Sequence, residues 1–185
     1  MTNPYAHEHI APYLTQEQLS ERVSKLAAEI SADLQPYEST IFICVLNGSF
    51  MFYADLLKHI EGPTNTAFLG VSSYEGGTST TGAVRLTLDL TIDITGRDVI
   101  IVEDIVDTGL TMSYLLESLR SRKPRSLKVC TLLHKPARKK IDVPIDYCGF
   151  VIEDVFVVGY GLDFNQRYRD LPYIGVMSFD DEQAS

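Results

Sequence analysis

Three carboxylates and two threonine hydroxyls crowd the stretch from Glu103 to Thr111, Glu-Asp-Ile-Val-Asp-Thr-Gly-Leu-Thr. The apolar run Val99 to Val102 before it reads as a buried strand of a parallel sheet. Glu103 and Asp104 stand at that strand's end, and a helical pattern starts near Thr111. A strand that turns through a Gly/Thr/Asp loop into a helix presents free backbone N–H groups, which suit a phosphate. Carboxylates beside a bare phosphate would repel it. They make sense when sugar hydroxyls or a divalent cation lie between. Asp107 or Thr108 acting only as a helix cap accounts for one polar residue. It leaves two acids and a Gly between two Thr without a reason. The chemistry that fits is binding of a phosphorylated sugar with a divalent metal.

The elements that must position these groups alternate through the middle of the chain. Residues 1 to 13 read as an extended arm. Thr15-Gln-Glu-Gln18 has the form of a capping box, and Leu19, Val23, Leu26, Ala27 and Ile30 follow at helical spacing. Ile41 to Leu46 is a continuous apolar run, then Asn47-Gly48-Ser49, then an amphipathic segment from Phe50 to Ile60. A strand from Thr66 to Ser73 leads into a long Gly/Ser/Thr loop beginning at Tyr74, whose composition reads as flexible, a lid or a disordered loop. Val84 to Leu90 alternates as a half-buried strand does. Beyond the helix of roughly Thr111 to Ser121, the strand Leu127 to Leu133 ends in His134-Lys135-Pro136, followed by the basic turn Arg138-Lys139-Lys140. Lys135 therefore stands at the carboxyl end of a strand, where ligands of open α/β sheets gather. Short strands over Tyr147–Ile152, Phe156–Val158 and Ile174–Ser178 finish the chain, with Asp163 and Arg169 between them. This pattern predicts one α/β domain over 1–185. Its core spans about 37–145 and a small hood comes from about 1–36 and 146–185.

Composition excludes several classes of function. A chain of 185 residues with 45% hydrophobic and 22% charged residues can bury a substantial core. The net charge of -9 argues against sequence-independent nucleic-acid binding, which needs a basic face. No apolar run approaches membrane-spanning length, and the first residues do not read as a signal peptide. Cys44, Cys130 and Cys148 all lie in apolar runs and read as reduced thiols of a cytoplasmic protein. Gly159-Tyr-Gly161 lacks the third glycine of a dinucleotide fingerprint, since Phe164 stands there. The four histidines show neither metal spacing nor a nucleophile partner.

The stretch at 103–111 resembles the phosphoribosyl pyrophosphate motif of type I phosphoribosyltransferases, more closely that of the hypoxanthine-guanine enzymes. Val45-Leu-Asn-Gly48, Ser73-Tyr74, Leu133-His-Lys135, and Phe156 to Asp163 with Arg169-Asp170-Leu171 extend the resemblance in the same order, from about Ile41 to Ser178. The resemblance implies a central, mainly parallel sheet flanked by helices, with a hood from the termini. It implies a purine-salvage transferase that moves the phosphoribosyl group of phosphoribosyl pyrophosphate to N9 of hypoxanthine or guanine. The cofactor it implies is Mg2+, and the assembly a homodimer or homotetramer. It gives Asp107 the role of base, and Thr108, Gly109, Leu110 and Thr111 to the 5-phosphate with Asp107. Glu103 and Asp104 go to the ribose and, with Asp163, to metal. Leu46, Asn47, Gly48 and Arg169 go to pyrophosphate, in a loop where the family can hold a cis peptide between Leu46 and Asn47. Many relatives carry Lys or Arg where Asn47 stands, so here backbone N–H groups, magnesium and Arg169 must do more. Lys135 would donate to the purine 6-oxo group, Phe156 would lie on the purine face, and Val157 would pair with the base edge. Ser73 and Tyr74 would head a closing lid. A regulator on the same fold that binds nucleic acid is the reading from another class, and the acidic charge counts against it. A transferase for a pyrimidine or for adenine should lack Lys135 together with Phe156-Val157.

Overall fold

A computed structural model describes residues 8–34, 40–73 and 84–179. Continuous apolar runs become the inner strands of a six-stranded sheet: β2 (Thr40–Leu46), β3 (Asn65–Ser73), β5 (Asp98–Val106) and β6 (Ser126–His134), with β4 (Val84–Leu88) and β7 (Tyr147–Val151) at the edges. The order is β4-β3-β2-β5-β6-β7, parallel throughout except for β4, which runs antiparallel to β3. Such strands are apolar on both faces because both faces are covered. Along β2 the side chains alternate between two buried layers. Phe42 and Cys44 pack with α1 (Gln16–Asp33) and α2 (Phe50–His59), while Ile41, Ile43 and Val45 pack with α3 (Leu110–Arg120). Each fully buried side chain of this size contributes about 1.5–3 kcal/mol. Phe42→Ala would therefore cost about 3–5 kcal/mol. Cys44 and Cys130 are buried in these layers, and burial pushes both thiols upward.

Helix α1 begins with the capping box read from Thr15. Its hydroxyl accepts from Gln18 N–H, and the Gln18 side chain accepts from Thr15 N–H at 2.8 Å. Among the described residues no helix is long and apolar enough to cross a membrane.

A second, three-stranded antiparallel sheet has the order β1-β9-β8, from β1 (Glu8–Leu14), β9 (Ile174–Phe179) and β8 (Val157–Val158). The two ends of the chain thus pair with each other. The Glu8 carboxylate accepts from Arg167 at 2.5 Å and from the Tyr168 hydroxyl, which ties β1 to the loop before β9. Residues Tyr147–Val151 pair in parallel with β6, because that edge would otherwise expose unpaired backbone groups. The apolar stripe of α1 is buried against the large sheet. Both segments belong to the core, and the second sheet uses β1, β8 and β9 alone.

The loops after β2 and β5 leave adjacent strands toward opposite faces, since α2 and α3 lie on different sides of the sheet. The crevice between them is the topological switch point, where open α/β sheets bind ligands.

Candidate active site

Strand β5 does not stop at Val102. It continues through both acids to Val106, because β6 runs alongside and pairs Glu103 with Thr131 and Val106 with His134. The ladder holds the two carboxylates rigidly. Glu103 is buried, 8% exposed, and its Oε2 has no hydrogen-bond partner among the described residues. Burial, and then the neighbouring Asp104 charge, raise its carboxyl well above the usual range. Burial likewise pushes Asp104 up, to about 6, although Ile105 N–H donates to it at 2.8 Å and the Arg169 charge favours its ionised form. A buried and a half-buried carboxylate side by side are a fit for a cation. Among the described residues no set of three or more His, Cys, Asp or Glu stands ready to hold a metal by itself.

The peptide between Leu46 and Asn47 at the end of β2 is cis. Gly48 follows, and a Cβ there would lie 1.5 Å from Asp104 Oδ2, so the carboxylate occupies the space of a side chain. From the other side comes Gly161, at φ +101, whose Cβ would lie 2.0 Å from the Gly48 carbonyl oxygen. Glycine is needed here twice over, for the dihedral and for the close approach. Arg169 closes the group: it donates to the Gly161 carbonyl at 2.7 Å and pairs with Asp163 at 2.7 Å.

Asp107, Thr108 and Gly109 form the turn into α3. Gly109 adopts φ +81, and Leu110, the first helical residue, donates its N–H to Thr108 Oγ1 at 3.4 Å. Asp107, Thr108, Gly109 and Thr111 line a hollow of about 270 Å³ at the start of the helix. Beside it lies the main cavity, about 390 Å³. Its walls include Leu46, Asn47, Gly48, Glu103, Asp104, Asp107, Thr111, Lys135, Phe156, Val157, Asp163 and Arg169. Residues more than a hundred positions apart in sequence thus face one space. Lys135 is 4% exposed, with its ammonium donating to the Val155 carbonyl at 2.5 Å. An ammonium has three donors, so further ones stay available to a ligand. The Phe156 ring is 48% exposed at the cavity and stands edge-on to Phe164, with centroids 5.8 Å apart. Val157 is buried in β8.

Ser73 ends β3. Tyr74 and the lid expected after it lie outside the described residues. Sequence reasoning missed Arg138, which lines the cavity and pairs with Asp107 at 3.3 Å. Its signal was the basic turn directly after Lys135. It also missed Val155, whose carbonyl holds Lys135, and the apolar wall of Val45, Val71, Ile105 and Leu162. A backbone acceptor carries no signal in residue type.

Residues 10–165 match the family model described as phosphoribosyl transferase domain. The hypoxanthine-guanine phosphoribosyltransferase of Mycobacterium tuberculosis is 50% identical over 169 residues, covering 89% of this chain and 84% of the relative. The hypoxanthine-guanine-xanthine phosphoribosyltransferase of Tritrichomonas foetus is 48% identical over 163 residues, 88% of each chain. The crystal structure of a Bacillus anthracis hypoxanthine-guanine phosphoribosyltransferase, with HEPES in its active site, superposes with a TM-score of 0.85 at 44% identity, covering 92% of this chain and 99% of that one. With a mainly parallel sheet, helices on both faces and a crevice at the switch point, the chain has the type I architecture and belongs to the phosphoribosyltransferase family, among its hypoxanthine-guanine enzymes.

Proposed function

We propose that this enzyme transfers the phosphoribosyl group of phosphoribosyl pyrophosphate to N9 of hypoxanthine and guanine, releasing pyrophosphate and forming inosine or guanosine monophosphate. The observation that carries the reading is one cavity shared by the acids of β5, the 46–48 turn, Arg169, Lys135 and Phe156. The 5-phosphate fits the turn from Asp107 to Thr111, where the N-terminus of α3 directs N–H groups and the positive end of its dipole outward. Glu103 and Asp104 take the ribose hydroxyls. Pyrophosphate lies against the backbone of Leu46, Asn47 and Gly48, with the Arg169 guanidinium supplying charge that Asn47 lacks. One Mg2+ held by Glu103 and Asp104, and a second held by Asp163, would supply the further positive charge that stabilises the departing pyrophosphate.

In the transfer the bond from C1 of the ribose to the pyrophosphate oxygen breaks, and its electron pair leaves with pyrophosphate. The N9 lone pair forms the new bond to C1, and the N7 proton passes to a carboxylate oxygen of Asp107. No covalent bond to the protein forms. The catalytic power comes from holding the two reactants in line and from charge fixed in place beforehand. Lys135 makes the site read the 6-position: a 6-oxo group accepts from the ammonium, whereas the 6-amino group of adenine presents a donor to a donor. Phe156 offers a ring face to the base.

The direct test is formation of inosine monophosphate and pyrophosphate from hypoxanthine, phosphoribosyl pyrophosphate and Mg2+, followed by ultraviolet absorbance and chromatography. Turnover that is lost with EDTA and returns with excess Mg2+ is the expected outcome. Absence of nucleotide product at any metal concentration would refute the reading.

A further inference from the structure

Asp107 presents two different oxygens to its surroundings. Oδ2 lies 3.3 Å from Arg138 Nη1, and Oδ1 is buried with no hydrogen-bond partner among the described residues. Arg138 is the last residue of the short 3-10 turn Pro136–Arg138, directly after Lys135. Backbone hydrogen bonds bind this turn to Asp107 on both sides. Lys135 N–H donates to the Val106 carbonyl at 2.9 Å, and Lys140 and Ile141 N–H both donate to the Thr108 carbonyl, at 2.9 and 3.1 Å. Gly109 packs against the same segment so closely that a Cβ would lie 2.4 Å from the Ile141 carbonyl oxygen. Two short chain segments are thus joined across residues 106 and 108, and Arg138 is brought opposite Asp107 by the backbone. The Asp154 carboxylate, 3.8 Å from Arg138 Nε, holds the guanidinium from the other side.

We propose that Arg138 is a positioning residue for the base: it anchors Oδ2 of Asp107 and so leaves Oδ1 as the oxygen that receives the purine N7 proton. A carboxylate on a short side chain can rotate about its Cβ–Cγ bond and exchange its oxygens. An anchor on one oxygen removes that freedom and fixes the direction of the other's lone pairs. An exposed ion pair contributes little to stability, about 0–1 kcal/mol. Arg138 is about half exposed. Its contribution therefore shows in turnover and not in folding. The inference rests on the proposed transfer and on Asp107 as its base.

The test is steady-state kinetics of Arg138→Gln, Arg138→Lys, Asp107→Asn and the double variant Arg138→Gln/Asp107→Asn, each checked for folding by its melting temperature. Arg138→Gln is expected to lower kcat by on the order of 10-fold and to leave KM for phosphoribosyl pyrophosphate within about 2-fold, the signature of an interaction that matters in the transition state. Arg138→Lys, which keeps the charge, should recover part of that loss. In the Asp107→Asn background, Arg138→Gln should change kcat by less than about 2-fold, because residues acting as a unit are not additive. Three outcomes overturn the inference while leaving Asp107 as the base: wild-type kcat in Arg138→Gln, a raised KM at unchanged kcat, or the same 10-fold loss with and without Asp107. Wild-type kcat in Asp107→Asn overturns the base assignment itself, and the positioning role with it.

Discussion

The half of the cavity proposed to take the sugar and the half proposed to take the base are built differently. The sugar half is one continuous strand–turn–helix, Glu103 to Thr111, with the cis turn at Leu46–Asn47 beside it. The base half is assembled from Lys135 at the end of β6 and from Val155, Phe156 and Val157 some twenty residues later, joined through a lysine that donates to a backbone carbonyl. Binding a charged, flexible phosphorylated sugar takes many donors in a fixed array, which a helix N-terminus and its preceding turn supply together. Choosing a base takes a few groups at one edge of a planar ring. The first task leaves a dense local pattern in the chain, and the second leaves isolated residues.

Substitutions in the two halves should therefore fail in different ways. Asp107→Asn should give the largest effect, a fall in kcat of about 10²–10⁴ with every base that the enzyme accepts, the range for loss of a general base. Rapid-quench or steady-state rates with hypoxanthine and guanine would check it, and a loss confined to one base would blur the distinction between the halves. Lys135→Ala should lower kcat/KM for hypoxanthine by about 10–100-fold, the cost of one hydrogen bond to a charged group. KM for phosphoribosyl pyrophosphate should stay within about 3-fold. Equal damage to both substrates would mean that Lys135 serves the phosphates or the fold.

Gly161→Ala strikes the sugar half from the hood. The positive φ and the 2.0 Å approach to the Gly48 carbonyl leave no room for a methyl group. The expected cost is about 1–3 kcal/mol. It should be read as a melting temperature lower by roughly 3–10 °C, together with a raised KM for phosphoribosyl pyrophosphate. An unchanged melting temperature and KM would show that the loop yields easily.

The smallest effect concerns the half-buried Asp104. Burial raises the Asp104 carboxyl from its ordinary value to about 6, so the folded state binds its proton more tightly than the unfolded state does. With fewer protons bound on unfolding, stability falls as pH rises between about 4 and 6. Asp104→Asn should remove that penalty. It should stabilise the ligand-free protein near pH 7.5 by about 1–2 kcal/mol relative to wild type, with the gain fading toward pH 4. Denaturant melts at the two pH values measure it, and a gain independent of pH would rule out the ionisation as its source.

The same contrast sets what was legible in the chain. Apolar runs located β2, β5 and β6 within a few residues at most, and the Thr15–Gln18 box marked the start of α1. The end of β5 was misjudged because Glu103 and Asp104 look like the close of a strand. They remain in the ladder because β6 provides a partner at that level, which is a fact about a segment more than twenty residues away. Residues Tyr147–Val151 look like part of a hood until the free edge of β6 is in view. The acids could be named from residue type and neighbours, and Lys135 from its place at a strand end, whereas Phe156 and Arg169 were named only through the family resemblance. Arg138 could not be paired with Asp107, since the pairing depends on hydrogen bonds to the carbonyls of Val106 and Thr108. Gly161, dismissed as part of an incomplete dinucleotide fingerprint, earns its place by its distance from Gly48.

The central claim is that the base half reads the 6-position of a purine through Lys135. It is tested most directly by comparing kcat/KM for hypoxanthine and adenine on the wild-type enzyme at saturating phosphoribosyl pyrophosphate and Mg2+. The account predicts a preference for hypoxanthine of about 10³-fold or more, because adenine leaves the buried Lys135 donor and its own amino group unpaired. Comparable values for the two bases would contradict it.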